Sequence, residues 1–443
     1  MSTDTAGSGL SGAGAGHGIS VTIDQNQYLA EGADTVDAVI TVEADADFAA
    51  AAPPPQRLEI IIIDCSGSMG AGDRFQGARR AAFAAIDTIT DGTLFAVVAG
   101  TAEAQVVFPR RGPLLPAGAT IRGQARLEMD RLRPYGGTAM GTWIGLARQI
   151  ALQHPGTIAH AILLSDGKNE HESPERLAAE IGASQGQLSV DCRGVGDSYV
   201  VDELRSIAFG LNGTLDVLRQ PAELAAEFAA MMQASMGKSV PELTLRVWTP
   251  AGAVVRFVKQ VAPDLTELTR TEAGPQLSEY SLGAWGGSDD RDYHVQVRLE
   301  PAPVGREKLA ARISVVAGAE VLGQGLVKAV WTADTELSTR INRRVAHYTG
   351  QAELAQNIQE GLAAREQGDL STATAKLQRA VQLAAESGND NTAKLLRGVV
   401  EVDDHTGTVR LRRTIDTFDE KALDARSTKT ARIRKPSSQS PEA

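Results

Sequence analysis

The sequence predicts an α/β protein in which a doubly wound, mainly parallel sheet is inserted into a β-sandwich and followed by a C-terminal helical unit. Three observations carry that prediction. Between 57 and 238, short runs apolar on both faces, such as Leu58-Glu59-Ile60-Ile61-Ile62-Ile63, alternate with Ala-rich helical stretches. From 240 to 332 the helical period gives way to two-residue alternation broken by Pro and Gly. Hydrophobic residues make up 42% of the 443 residues but aromatics only 4%, so the apolar stock is Ala, Val, Leu and Ile, which suits helices and buried parallel strands.

In chain order, residues 1–18 are rich in Gly, Ala, Ser and Thr and read as a flexible arm. The stretch Gly7-Ser8-Gly9-Leu10-Ser11-Gly12 fits the dinucleotide-binding glycine pattern, but no strand precedes it and no helix follows. Ile19, Val21 and Ile23, then Val36, Val39 and Val42, alternate with polar neighbours around Glu31-Gly32-Ala33-Asp34, which predicts two antiparallel strands within 19–50. Pro53-Pro54-Pro55 marks a stiff link to the next unit. Within 57–238, strands are expected at 58–63, 94–98, 105–108, 158–164, 188–194 and 214–218, with helices at 74–89, 120–132, 142–152, 174–183, 201–209 and 221–236. Alternation at 243–247, 254–258, 293–299 and 311–316 places the sandwich over 239–332. The strands at 19–44 would otherwise lack a sheet, so they are assigned to this sandwich and the α/β unit becomes an insertion. Residues 334–400 return to helix, with Gly361, Ala364, Gly368, Leu370, Ala373, Ala375, Leu377, Ala380 and Leu383 resembling one tetratricopeptide-type hairpin. A single such repeat does not stand alone, so a helical domain docked on the rest is expected. The remainder, 401–443, reads as a polar tail, disordered at least after Lys435.

Lys and Arg number 44 against 55 for Asp and Glu, a formal charge of −11 that argues against a nucleic-acid partner. Cys65 and Cys192 are too few for a disulfide framework or a cysteine-only zinc site, and they read as small buried residues of a protein in a reducing compartment. No apolar run approaches the ~20 residues of a membrane span, and the first twenty residues lack the features of a signal peptide. A cytoplasmic protein without membrane contact is expected, and the richness in Ala, Gly and Arg points to a bacterial source.

The informative stretch is Asp64-Cys65-Ser66-Gly67-Ser68-Met69-Gly70, where the first buried strand ends and its helix begins. In an open α/β sheet, that edge is where ligands bind. Alternate residues of an extended segment point the same way, so Asp64, Ser66 and Ser68 can offer three hard oxygens to one side, as Mg²⁺ or a similar cation requires. Gly136-Gly137-Thr138-Ala139-Met140-Gly141 precedes a helix and Ser165-Asp166-Gly167 ends a strand, so Thr138 can add a hydroxyl and Asp166 a second carboxylate at the same edge. Asp, Ser and Gly are also common in caps and turns, but all five in order at strand ends and helix starts favour a metal site.

On these residues the stretch 57–238 resembles a von Willebrand factor A domain with a complete metal-ion-dependent adhesion site: Asp-x-Ser-x-Ser, then a Thr in a Gly-rich loop, then an Asp after a strand. The resemblance implies that Ser66 and Ser68 bind Mg²⁺, Mn²⁺ or Ca²⁺ directly. It also implies that Thr138 does so in the ligand-engaged state, and that Asp64 and Asp166 hold the cation largely through water. It implies a non-enzymatic binder or scaffold that takes an Asp or Glu carboxylate of a protein partner through the metal. Similar bacterial proteins work beside AAA+ ATPases or phosphothreonine-signalling modules, which makes these candidate partners.

Two other readings stay open. Ser66-Gly67-Ser68-Met69-Gly70 nearly fits a nucleophile elbow, which would make Ser68 the nucleophile of a serine hydrolase, although His294 and His347 fall outside the α/β unit. A metal-independent scaffold with a degenerate site is the third class. Asn169-Glu170-His171-Glu172 reads as a solvated polar loop, and the chain has no Gly-x-x-x-x-Gly-Lys-Ser/Thr loop. Thr414, Thr428 and Thr430 lie beside basic residues and are candidate phosphorylation sites that a phosphothreonine reader could capture.

Overall fold

A computed structural model describes residues 18–46, 48, 55–220, 223–403 and 408–433. Most of the expected N-terminal arm, Pro53-Pro54 and the tail after Ile433 lie outside these residues.

The α/β unit is built on Arg57–Asp64, whose apolar run is buried along its length. Successive side chains of a strand face opposite ways. Leu58, Ile60 and Ile62 therefore enter one core with the helices Met140–Leu152, Pro174–Ser184 and Val201–Gly210, while Ile61 and Ile63 enter another with Arg74–Thr88, Ala119–Asp130 and Leu224–Met236. The strand order is Leu215–Leu218, Ser189–Val195, Ile158–Ser165, Arg57–Asp64, Leu94–Gly100 and Ala104–Phe108, with a short strand Leu115–Pro116 also on Leu94–Gly100. The first five are parallel and Ala104–Phe108 is antiparallel. Parallel strands bring their carboxyl ends to one edge, where the motif residues lie.

Two further sheets share a single core. One runs Ile19–Gln25, Thr35–Ala44, Asp290–Arg298, Val254–Ala262 and Thr266–Glu267; the other runs Arg270–Gly274, Leu277–Gly286, Lys238–Trp248, Glu307–Ala317, Glu320–Thr332 and Tyr28–Ala30. Strands before and after the α/β unit pair in both sheets, Thr35–Ala44 with Asp290–Arg298 and Tyr28–Ala30 with Glu320–Thr332. The close approach of the early strand has a local cause: a methyl group on Gly323 or Gly325 would stand 2.6 Å from Val21 or 2.4 Å from Ile23. The sandwich strand starts at Lys238, directly after the helix that ends at Met236, so the two units meet without a linker.

The helices Arg343–Glu366, Leu370–Glu386 and Asp390–Val399 share a core into which Val409 and Leu423 also reach. The expected polar tail is corrected here. Val400–Val402 pairs with Val409–Leu411, and the helix Thr417–Arg426 buries Ala422 and Ala425 in a core of the parallel sheet and Leu423 in the helical core. Beyond it, Thr428 O accepts from Leu265 N–H (2.7 Å) and Thr430 N–H donates to Pro263 O (3.0 Å) in the sandwich. Arg426 and Lys429 pair with Asp216, and Arg432 with Asp290 and Asp292. The charged residues that suggested a solvated tail are the ones that hold it down. Thr428 is buried and the Thr430 hydroxyl donates to Val261 O (2.7 Å), so of the three candidate phosphorylation sites only Thr414 is exposed.

Candidate metal centre

Asp64 ends one parallel strand and Asp166 follows its neighbour, so the sheet itself sets the two carboxyl groups side by side. The backbone then leaves the sheet. Cys65 N–H donates to Gly100 O (2.8 Å), and Ser66, extended at φ −64° and ψ 164°, opens a short 3₁₀ turn over Gly67–Gly70. Two bonds tie this turn to the loop that carries Thr138: Gly67 N–H donates to Gly136 O (3.0 Å) and Tyr135 N–H to Cys65 O (2.7 Å). Gly136 sits at φ +74°, a left-handed conformation that favours glycine.

All five predicted residues meet at this edge. Asp64 Oδ1 accepts from Ser66 N–H (2.8 Å), Ser66 Oγ and Ser68 Oγ are 3.0 Å apart, and Ser68 Oγ donates to Asp166 Oδ1 (2.8 Å). Thr138 joins them across Gly167: a methyl group there would stand 3.3 Å from both Ser68 Oγ and Thr138 Oγ1 and 3.8 Å from Asp64 Oδ2. Oxygens of three residues thus face a space beside Gly167 that a side chain there would crowd. Asp64, Ser66, Thr138 and Asp166 are buried while Ser68 is exposed, so the site opens to solvent at Ser68.

The donors are two carboxylates and three hydroxyls, all hard oxygen, a set that fits Mg²⁺, Mn²⁺ or Ca²⁺ rather than a softer metal. Among the described residues no group of three or more His, Cys, Asp or Glu is disposed to hold a metal, so the hydroxyls are indispensable to any such site. Burial pushes the Asp64 carboxyl up to about 6, the hydrogen bonds from Ser165 and Ser66 pull it down, and the charge of Asp166 adds to the rise. A cation beside Asp64 would relieve that burial cost.

Sequence reasoning missed two partners of the site. Ser165 Oγ donates to Asp64 Oδ2 (2.6 Å), and Arg74 Nη1 donates to Asp166 Oδ2 (2.8 Å) while reaching Asp197 at 3.5 Å. A signal for Arg74 was present, because a cation in the first turn of a helix opposes the helix dipole and needs an acidic neighbour. The reading of Asn169-Glu170-His171-Glu172 as a solvated polar loop is corrected in part: Glu170 and His171 are exposed, but the other two residues are not. Asn169 and the Glu172 side chain are buried, and the segment bonds the start of the helix Met140–Leu152. Cys65 and Cys192 are fully buried, and burial pushes the Cys65 thiol up to about 12 and that of Cys192 further. His294 bonds Asp37 and His347 bonds Ala431 O, and neither hydrogen-bonds Ser68.

Family models describe the same regions. Residues 60–168 fit the von Willebrand factor type A domain, and residues 382–427 fit the von Willebrand factor type A C-terminal domain. A solved structure, the von Willebrand factor type A protein from Catenulispora acidiphila, is 47% identical with a TM-score of 0.89, over 96% of this chain and 100% of that one. The ArnB paralog VWA2 from Sulfolobus acidocaldarius has the same fold at a TM-score of 0.59 and 12% identity, over 93% of this chain and 98% of that one. An uncharacterized protein of Synechocystis sp. is 30% identical over 230 residues, 50% of this chain and 52% of the relative, so this chain spans about half of that protein's length. With likeness to the Catenulispora protein running through the sandwich and the helices as well as the central sheet, the chain belongs to the von Willebrand factor type A family.

Proposed function

We propose that this chain is a metal-dependent protein-binding scaffold that takes an Asp or Glu carboxylate of a partner at a hard divalent cation held by Asp64, Ser66, Ser68, Thr138 and Asp166. The observation that carries the reading is the convergence of Ser68 Oγ, Thr138 Oγ1 and Asp64 Oδ2 around Gly167, beside a Ser68 hydroxyl bonded to Asp166. When bound, such a cation supplies an electrophilic centre whose coordination shell a partner's carboxylate oxygen can complete. Asp64 and Asp166 balance the charge of a dication, and the Arg74 guanidinium, 2.8 Å from Asp166 and 3.5 Å from Asp197, draws carboxylate charge away from the cation. A cation whose charge is shared in this way still favours an anionic ligand locally, in spite of the overall charge of −11.

In this reading Ser68 is a ligand and not a nucleophile. Its hydroxyl bonds Asp166 and Ser66, and no histidine among the described residues hydrogen-bonds it. No helix among the described residues is long and apolar enough to cross a membrane. The buried, unpaired thiols of Cys65 and Cys192 accord with a reducing, cytoplasmic setting, which forms part of the proposal.

Affinity capture from lysate of the native cell tests the reading. A partner retained in millimolar Mg²⁺, released by chelator and lost with Ser68→Ala is the expected result. Retention indifferent to both treatments would instead identify a metal-independent scaffold.

A further inference from the structure

The helix Met140–Leu152 begins two residues after Thr138 with Ala139 at its N-cap, a residue whose side chain can accept nothing. The first amides of a helix need partners from elsewhere. Here four consecutive N–H groups are anchored outside the helix: Thr138 to His171 Nδ1 (3.1 Å), Ala139 to Thr101 O (3.1 Å), Met140 to Asn169 Oδ1 (2.7 Å) and Gly141 to Glu172 Oε1. Three of the four acceptors lie within Asn169–Glu172. Thr138 is held through both its backbone groups, because its carbonyl also accepts from His171 N–H (2.9 Å).

The packing is as specific as the bonding. The His171 ring lies against Gly137, where any Cβ would stand 2.2 to 2.3 Å from the ring atoms. Since Nδ1 accepts the Thr138 N–H, the proton of the neutral ring sits on Nε2. Asn169 is itself fixed, its N–H donating to Glu203 Oε2 (3.1 Å) on the neighbouring helix. Glu172 places a buried carboxylate at the positive end of the helix Met140–Leu152. None of these residues reaches the metal-site oxygens by a hydrogen bond of its own. His171 holds the backbone of Thr138, and Asn169 and Glu172 hold those of Met140 and Gly141 beside it.

We propose that Asn169, His171 and Glu172 form a clamp that sets the position of the Thr138 hydroxyl in the metal site, with His171 as the principal positioning residue. The proposal rests on the reading of Thr138 as a metal ligand. Without the three side chains, the N–H groups of Thr138, Met140 and Gly141 lose their acceptors, while the bonds of Gly136 to Gly67, of Ala139 to Thr101 and Thr142, and of the Thr138 carbonyl to His171 N–H remain, so Thr138 is held less firmly beside Gly167. His171→Ala removes the acceptor, whereas His171→Asn keeps an acceptor oxygen near the position of Nδ1.

The test uses the full chain with two readouts: amide hydrogen exchange of the peptide 136–141 without metal, and calorimetric titration with Mg²⁺. For His171→Ala we expect exchange about tenfold faster and Mg²⁺ binding about tenfold weaker, the loss of roughly one hydrogen bond, with both restored in His171→Asn. Asn169→Ala should move both in the same direction, and Glu170→Ala, an exposed neighbour, should move neither. Exchange and binding unchanged in His171→Ala and Asn169→Ala would overturn the clamp, as would His171→Asn behaving like His171→Ala. Asp64→Ala separates the two claims. A wild-type chain that binds no more Mg²⁺ than Asp64→Ala defeats the metal reading, while the exchange arm, read without metal, still decides whether His171 holds the segment.

Discussion

Gly167 matters to the proposed metal site as much as the side chains that would hold the cation. Its Cα hydrogen faces Ser68 and Thr138, and a methyl group there would be 3.3 Å from each oxygen, closer than such contacts settle without movement. Gly167→Ala should therefore weaken Mg²⁺ binding at least about tenfold while shifting the melting temperature of the metal-free chain by only a few degrees, measured by calorimetry on both forms. A second residue-scale prediction concerns the opposite edge of the sheet. The buried His160 donates to Glu59 (2.7 Å) and Asp191 (3.0 Å), and Ser235 completes Glu59 (2.7 Å). Burial alone would push the imidazole down, but the charge of Glu59, with bonds to Asp191 and Glu59, brings it up to about 10. A raised value means that the stabilisation is complete below the ordinary imidazole value of about 6.5 and is lost as pH rises through about 10. Urea midpoints at pH 7 and pH 10 should fall further in the wild type than in His160→Gln, which has no such proton to lose.

At the scale of elements, the helix Met140–Leu152 shows how packing and polar bonding fix one boundary. Trp143, fully buried, lies over Gly100, where a Cβ would be 2.4 Å from its ring, and its Nε1–H donates to Thr101 O (2.7 Å). Trp143→Ala should cost about 3 to 5 kcal/mol in denaturant unfolding, as large aromatic truncations in cores do. The sandwich has a comparable point in Asp292. Its buried carboxylate accepts from Thr41 (2.6 Å), Arg344 (2.9 and 3.0 Å), Arg432 (3.0 and 3.1 Å) and Tyr348, joining two strands, a helix and the C-terminal segment. Asp292→Asn leaves two guanidinium groups facing a neutral amide, and a loss of about 3 kcal/mol in the same assay is expected. These elements differ in how far they were legible. The strand Arg57–Asp64 and its motif could be read because apolar runs and Asp-x-Ser-x-Ser are local patterns. The clamp could not, since Asn169, His171 and Glu172 are ordinary loop residues until the sheet brings Asn169–Glu172 against the amides of another loop.

Across the whole molecule, three units are joined by chain segments that read as polar in sequence. The helix Thr417–Arg426 packs on the parallel sheet while Arg205 pairs with Asp424 (2.7 Å) and Arg219 with Asp416 and Asp419 (3.0 and 2.6 Å). The next few residues then bond the sandwich through Thr428, Thr430 and Arg432. Pairing of this kind has no sequence period, so only charge composition was visible, and composition alone suggested a solvated tail. In the proposed reading, this arrangement presents the candidate metal edge on a braced platform. The central claim is that the edge binds a divalent cation through Asp64, Ser66, Ser68, Thr138 and Asp166. The melting temperature of the full chain with and without millimolar Mg²⁺, in the wild type and in Asp64→Ala, tests it most directly. Saturation near 100 times Kd stabilises by about 2.7 kcal/mol, so a rise of several degrees in the wild type and none in Asp64→Ala is predicted. A wild-type melt unmoved by Mg²⁺, Mn²⁺ and Ca²⁺ alike, or a shift that survives Asp64→Ala, would contradict it.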